Sequence, residues 1–170
     1  MNELFAPGHV VSLHLHSVES NAAMQPVETI EVEAGKGIIG NPRYFARRSR
    51  GGGISKRHVS LIEREQIAQH ARAIGWEKIS PGLVRSNIET VGVNLISLVG
   101  QSVHIGTALL HFYEARTPCW KMDKIYYGLR ELMTENRQGV LAQVMRSGKI
   151  RVGDEIFLAR EPTAHQSVGS

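Results

Sequence analysis

The feature that most constrains the fold is a succession of short apolar runs cut by glycine. Near the start, VVSLHLHSV sets Val11, Leu13 and Leu15 against Ser12, His14 and His16, the period of two that a half-buried strand requires. ETIEVEAG does the same with Ile30 and Val32 against Glu31 and Glu33. Later, NLISLVG, SVHIG, TALLHFYEA, GVLAQVMRSG and KIRVGDEIFLA are β-rich runs separated by glycine turns. A chain punctuated this way is predicted to be mainly sheet.

Two stretches break the rule. HVSLIEREQIAQHARAIG reads as a strand end running into a helix, with Ser60 and Glu63 as a capping box. Ile67, Ala71 and Ile74 form its apolar face, and Gly75 stops it. A second helix is predicted over 123–136, from Asp123 as cap through Leu129, Leu132 and Met133. Many strands with two helices give an α+β class, mainly β with helical inserts, and favour a closed or nearly closed β-barrel. Residues 1–158 are predicted to form a single domain, and 159–170 a polar, disordered tail.

The 170 residues suffice for one ordinary core, and no apolar run approaches the roughly 18 residues that cross a bilayer. MNELFAPGHV lacks a basic segment followed by an apolar one, so no secretory signal is predicted. One cysteine can form neither an internal disulfide nor a paired-cysteine metal site. These features predict a cytoplasmic protein with no membrane partner.

The net charge of +4 is localised. Between Arg43 and Arg57 lie six basic residues (Arg43, Arg47, Arg48, Arg50, Lys56 and Arg57) and no acid, while the remainder of the chain is slightly acidic. Glycines within this loop would let backbone amides approach a phosphate. A solvated surface loop explains the composition equally well, and the order of its glycines and Lys56 is not that of a phosphate-binding loop of nucleotide hydrolases. Only Tyr44 and Phe45 accompany the charges, too few aromatics for a nucleic-acid surface, so no nucleic-acid partner is expected.

The sole cysteine, Cys119, lies in ARTPCWKMD. Unpaired cysteines are mostly buried and inert. Here Pro118 forces Thr117 out of the helical region, and Arg116, Lys121 and Lys124 are close enough in sequence to favour a thiolate. A thiolate at a strand-to-helix joint is a soft metal ligand, or a nucleophile able to carry sulfur as a persulfide. In PGLVRSNIET, Arg85 and Asn87 would share a face if extended, offering an anion clamp and an amide, though polar turn residues read the same way. His14 and His16 are expected to be a solvent-facing pair, with no third metal ligand at a suitable spacing. No Ser-His-Asp set or carboxylate pair can be read.

Taken in order, GIIGNPRYF, KRHVSLIEREQ, ISPGLVRSNIETVGVNLISL, GQSVHIGTALLHFYEARTPCWKMD and SGKIRVGDEIFL resemble the MOSC domain, over about residues 35–158. The resemblance implies a β-rich barrel that binds the molybdenum cofactor, a phosphorylated pterin whose dithiolene holds molybdenum. It further implies an oxidoreductase acting on N-hydroxylated or N-oxide small molecules, with Cys119 as metal ligand and catalytic residue. Arg57, Arg85 and Asn87, with Arg43 and Lys56, would hold the cofactor. Electrons would come from a separate donor protein. The alternatives are a sulfur carrier, in which a cysteine desulfurase would load a Cys119 persulfide, and a non-catalytic binding module. The chain departs from the family pattern at Asn41 and Ser86, where family members often carry Asp and Glu. It has no aminotransferase-like domain and so is not by itself a complete sulfurase.

Overall fold

Alternating side chains fold into strands where the pattern is strongest, as seen in a computed structural model that describes residues 7–19 and 21–160. The chain opens with β1 (His9–Leu15), β2 (Gln25–Val27), β3 (Thr29–Glu33) and β4 (Gly37–Ile38). After the basic loop come β5 (Val59–Glu63), α1 (Arg64–Ala73) and β6 (Ile88–Val91). Then follow β7 (Ser102–Ile105), β8 (Ala108–Ala115), the short helices α2 (Lys121–Ile125) and α3 (Leu129–Leu132), β9 (Val140–Arg146), β10 (Gly148–Arg151) and β11 (Ile156–Leu158).

An eight-stranded sheet runs β11-β7-β8-β9-β5-β6-β1-β2, and a three-stranded sheet runs β10-β3-β4. The pair β5–β6 is parallel, with Leu61 opposite Ile88, and α1 makes the crossover that a parallel pair requires. The other pairings among the described residues are antiparallel.

Two apolar bodies hold the layers together. Between the sheets lie Val10, Leu13, Ile30, Val32, Ile38, Leu61, Ile105, Leu110, Phe112 and Ile150. On the other side of β5, Ile62 packs with Ile67 and Ala71 of α1, Met122 of α2, Leu129 of α3 and Met133. Strand β5 thus sends Val59 and Leu61 into one core and Ile62 into the other. Each fully buried Val, Leu, Ile, Phe or Met among them contributes about 1.5–3 kcal/mol.

The mainly β, α+β expectation holds, but no continuous ladder closes a barrel. The reason lies in β1. Its second half, Leu13–Leu15, pairs with β2, while its first half meets the segment before β11. There His9 bridges Glu155, Val10 N donates to Asp154 O at 2.9 Å, and Ile156 N donates to Gly8 O at 2.8 Å. The free edge of β1 is therefore divided between two partners.

Four local expectations are corrected. Ser60 does not cap α1: it lies inside β5, bonded to Asn87, and the cap position is Glu63, whose carboxylate accepts instead from Leu95 N at 3.1 Å. The helix expected over 123–136 breaks at Gly128, which adopts φ +99°, into α2 and α3. Asp123 accepts from Gly128 N at 3.1 Å and Arg130 N at 3.0 Å, so it caps the second piece rather than starting one long helix. In NLISLVG the segment Ile96–Leu98 is a 3-10 turn, not a strand. His14 and His16 are buried rather than solvent-facing. Leu13 and Leu15 keep the core face, and the opposite face is itself covered, with Ser86 O 3.0 Å from His14 Nδ1 and with Asn41 and the Tyr44 ring packed on His16. Of the predicted tail, Ala159 N still donates to Ser102 O at 2.9 Å, and residues 161–170 lie outside the described residues. Among the described residues no helix is long and apolar enough to cross a membrane.

Candidate functional site

The topology gathers residues from distant parts of the chain. Strand β1 runs antiparallel to β6, and β6 parallel to β5, so the end of β1 and the starts of β5 and β6 open at one end of the sheet. His16 follows β1, Arg57 precedes β5, and Arg85 precedes β6. Arg116, just past β8, joins them: its Nη1 donates to Arg85 O at 3.1 Å and to Ser86 Oγ at 3.0 Å.

Tyr44 is the hub. The guanidinium of Arg57 lies 4.8 Å from its ring centroid, with those of Arg47 at 5.5 Å and Arg43 at 5.9 Å. The His16 ring sits 4.8 Å away, tilted by 59°. The face of a phenol ring attracts cations, which lets three guanidinium groups share one neighbourhood. His16 is fixed from the other side by Asn41, whose Oδ1 accepts from the His16 backbone N at 2.8 Å and lies 3.1 Å from Nδ1. Burial pushes the His16 pKa down to about 3, although the Asn41 bond favours the charged form; Arg85, Arg116 and Arg43 add repulsion. This imidazole is neutral at physiological pH and adds no positive charge to the site.

Arg116 carries the clearest electrostatic signature. Desolvation pushes its pKa down to about 10; Arg57 and Arg85 repel it, and Tyr44 and Cys119 favour its charge. That shift corresponds to about 3 kcal/mol against the charged form. Both of its acceptors are neutral, so an anion in contact with the cluster would relieve the cost. Burial and Arg43 lower the pKa of Arg85, while Tyr44 and Cys119 act the other way. The Lys121 pKa is also lowered, chiefly by desolvation and then by Arg85 and Arg43, with Cys119 opposing. Cys119 itself is exposed. Arg43 and Cys119 thus both act on Arg85, and Arg57, Arg85 and Cys119 all act on Arg116.

Other expected residues go elsewhere. Lys56 turns its ammonium toward the Tyr113 ring at 4.8 Å. Arg85 is not extended: it takes φ +68° in the turn before β6, so it and Asn87 do not share a strand face. Asn87 points inward, accepting from Ser60 N and Ser60 Oγ at 3.1 Å and donating to His14 O at 3.0 Å. It ties β5, β6 and β1 together beneath the site. The glycine-rich tip closes on itself. Arg48 pairs with Ile54, Ser49 N donates to Gly53 O at 2.7 Å, and Arg48 Nη1 donates to Gly52 O at 2.6 Å. Arg47, Arg48 and Arg50 remain exposed.

Sequence reading named Arg116 and Lys121 only as cations near Cys119 and set His16 aside as a metal ligand; it did not give Tyr44 a place in the site. For Arg116 no signal of burial was available. Ala108, Leu110 and Phe112 set the buried phase of β8, but a bulge between Phe112 and Glu114 breaks it and leaves Glu114 exposed, so alternation does not place Arg116 inside. Among the described residues no group of three His, Cys, Asp or Glu side chains gathers to hold a bare metal ion.

A β-rich domain presenting a lone exposed thiol beside a ring of cations is the class of protein that these features define. A sequence profile of the MOSC domain matches residues 40–157. The chain belongs to the MOSC domain family, a family associated with molybdenum-cofactor binding. No protein of curated function matches it. Among solved structures, YuaD of Bacillus subtilis superposes with a TM-score of 0.75 at 20% identity, over 91% of this chain and 97% of that one. YiiM of Geobacillus stearothermophilus superposes at 0.68 and 18% identity, over 93% and 78%. YiiM of Escherichia coli does so at 0.64 and 18%, over 92% and 70%. At these identities the likeness is one of fold.

Proposed function

We propose that the chain is a molybdenum-cofactor-binding reductase of N-hydroxylated or N-oxide compounds, with Cys119 as its metal ligand. The observation that carries this reading is the gathering of Arg43, Arg57, Arg85, Arg116 and Lys121 around Tyr44, beside an exposed thiol. The donor set fits the cofactor. A metal that arrives already chelated needs few protein ligands, and a thiolate is a suitably soft one. When bound, the cofactor would supply the redox centre.

The chain's own residues bind and orient. Arg43 and Arg57, steadied on Tyr44, would hold the pterin phosphate. Arg85 would reach the cofactor from the adjoining turn, and Arg116, bonded to Arg85 O, fixes that turn in place. Asn87 acts indirectly, by locking the three strands from which these groups project. Lys56 would contribute charge at the margin. Electrons would be delivered by a separate protein.

One observation favours a second reading. The exposure of Cys119 leaves its thiol open to sulfur transfer from a cysteine desulfurase, as a carrier would require. Both readings are tested by purifying wild type and Cys119→Ser from a host that makes the cofactor and from one that cannot. Metal analysis and pterin fluorescence are then measured on each. Near-stoichiometric molybdenum and pterin in wild type, with molybdenum lost from the variant, is the expected result. Folded protein without either, but with Cys119 heavier by about 32 Da, would replace the reductase with the sulfur carrier.

A further inference from the structure

Arg85 and Lys121 also face a second space. They line a cleft of about 560 Å³, within the range of small-molecule sites. Its walls are apolar: Met24, Trp76, Leu83 and Ile125. Trp76 is braced edge-on by Tyr126, with ring centroids 5.8 Å apart and planes at 88°. The charged residues of the lining are Arg85, Lys121 and Lys124, all cations. Lys121 and Lys124 lie three residues apart on α2, on neighbouring positions of one helical face.

Two kinds of ligand use only half of this lining. A small inorganic anion would add to the contacts these cations already make, Arg85 Nη1 to Ala22 O at 3.1 Å and Lys124 over the Trp120 ring at 4.7 Å, and leave the apolar walls wet. A neutral ring would cover the walls and gain nothing from the cations. A flat apolar acid uses both: its body displaces water from Trp76, Leu83 and Ile125 while its anionic group meets the lysines. The cleft also adjoins the Cys119 cluster, because Arg85 belongs to both and Lys121 is two residues from the thiol.

We propose that this cleft is the substrate pocket, and that among N-hydroxylated or N-oxide compounds it selects flat aromatics that also carry a carboxylate or a similar anionic group. Its role as a substrate pocket rests on the reading of Cys119 as the reactive position; its preference for acids does not. The test is calorimetric titration of the full chain, prepared without cofactor, with naphthalene-2-carboxylate and its neutral amide. The acid should bind about tenfold more tightly or better, the worth of a charge-assisted contact. In Lys121→Gln/Lys124→Gln the preference should vanish while the affinity for the amide stays the same. Leu83, which is 40% exposed, can be changed without opening a core, and Leu83→Asp should weaken both ligands.

Equal affinities, no binding of either ligand, or a preference that survives the double lysine variant would overturn the proposal. So would loss of acid binding on cofactor loading, which would assign the cleft to the cofactor instead. Acid binding by a protein whose Cys119 never takes up metal would leave the acid-selective cleft standing and remove the reductase. Cofactor uptake without acid binding would do the reverse.

Discussion

At the scale of single residues, exposure and burial divide the site into parts with different consequences. Cys119 is exposed, so Cys119→Ser should change unfolding free energy by less than about 0.5 kcal/mol in a urea titration, while removing bound molybdenum. A large loss of stability would mean that the thiol is structural. Arg116 is the opposite case, wholly inside and held by main chain and hydroxyl. The sequence draws attention to Cys119 as the sole cysteine, to Arg43 and Arg57 as members of a basic run, and to Arg85 beside Asn87. Asn87 was visible as a polar residue, but its partners Ser60 and His14 lie in other strands, so its inward direction could not be read. His14 and His16 were misplaced for a related reason. Alternation separates two faces of a strand but does not say that the second is open, and Ser86, Asn41 and Tyr44, all distant in sequence, cover it.

At the scale of elements, two joints set the geometry of the site. Asp123 satisfies two amides at the start of α3, and Asp123→Ala should cost about 1–2 kcal/mol, read as a lowered urea midpoint. Gly139 has φ +79° where the chain enters β9, and an added Cβ would lie 1.9 Å from Leu61 O. Gly139→Ala should cost about 3 kcal/mol or more, since neither backbone can give way, and should yield little folded protein on expression. Because Gly139 O accepts from Arg116 N at 2.9 Å, any surviving protein should also bind less cofactor. The strands from β7 to β11 and the apolar face of α1 were readable because they depend on local period. The capping box failed because the Ser60 hydroxyl finds Asn87, 27 residues away, before it can serve a helix end. Ile96–Leu98 failed for lack of a partner strand: apolar content alone does not supply a ladder.

At the scale of the whole molecule, buried histidines couple stability to acidity. Burial lowers the pKa values of His16, His58 and His70, that of His16 to about 3. The unfolded chain takes up these protons near pH 6.5, while the folded chain resists them. Below that pH the unfolded state binds more protons, so stability falls as pH drops, by up to about 1.4 kcal/mol per pH unit for each group within its window. For His16 the window runs from 6.5 down to about 3. Glu63, whose pKa is raised chiefly by desolvation, opposes this: it favours the folded state on protonation, and that contribution is lost as pH rises through its folded value. Three histidines against one glutamate predict a urea midpoint that declines between pH 6.5 and 5, with a shallower slope in His16→Gln. A midpoint that rises toward acid would contradict the assignment.

The divided edge of β1 has one more consequence. Since Gly8 and Val10 are bonded to residues 153–156, the described body meets itself near where its backbone begins and ends. The path of the chain can then be re-cut without disturbing its pairing. A circular permutant that links Gly8 to Ala159 through a short spacer, and starts instead at the exposed Gly52, should fold to the same circular dichroism spectrum and keep its acid-selective cleft.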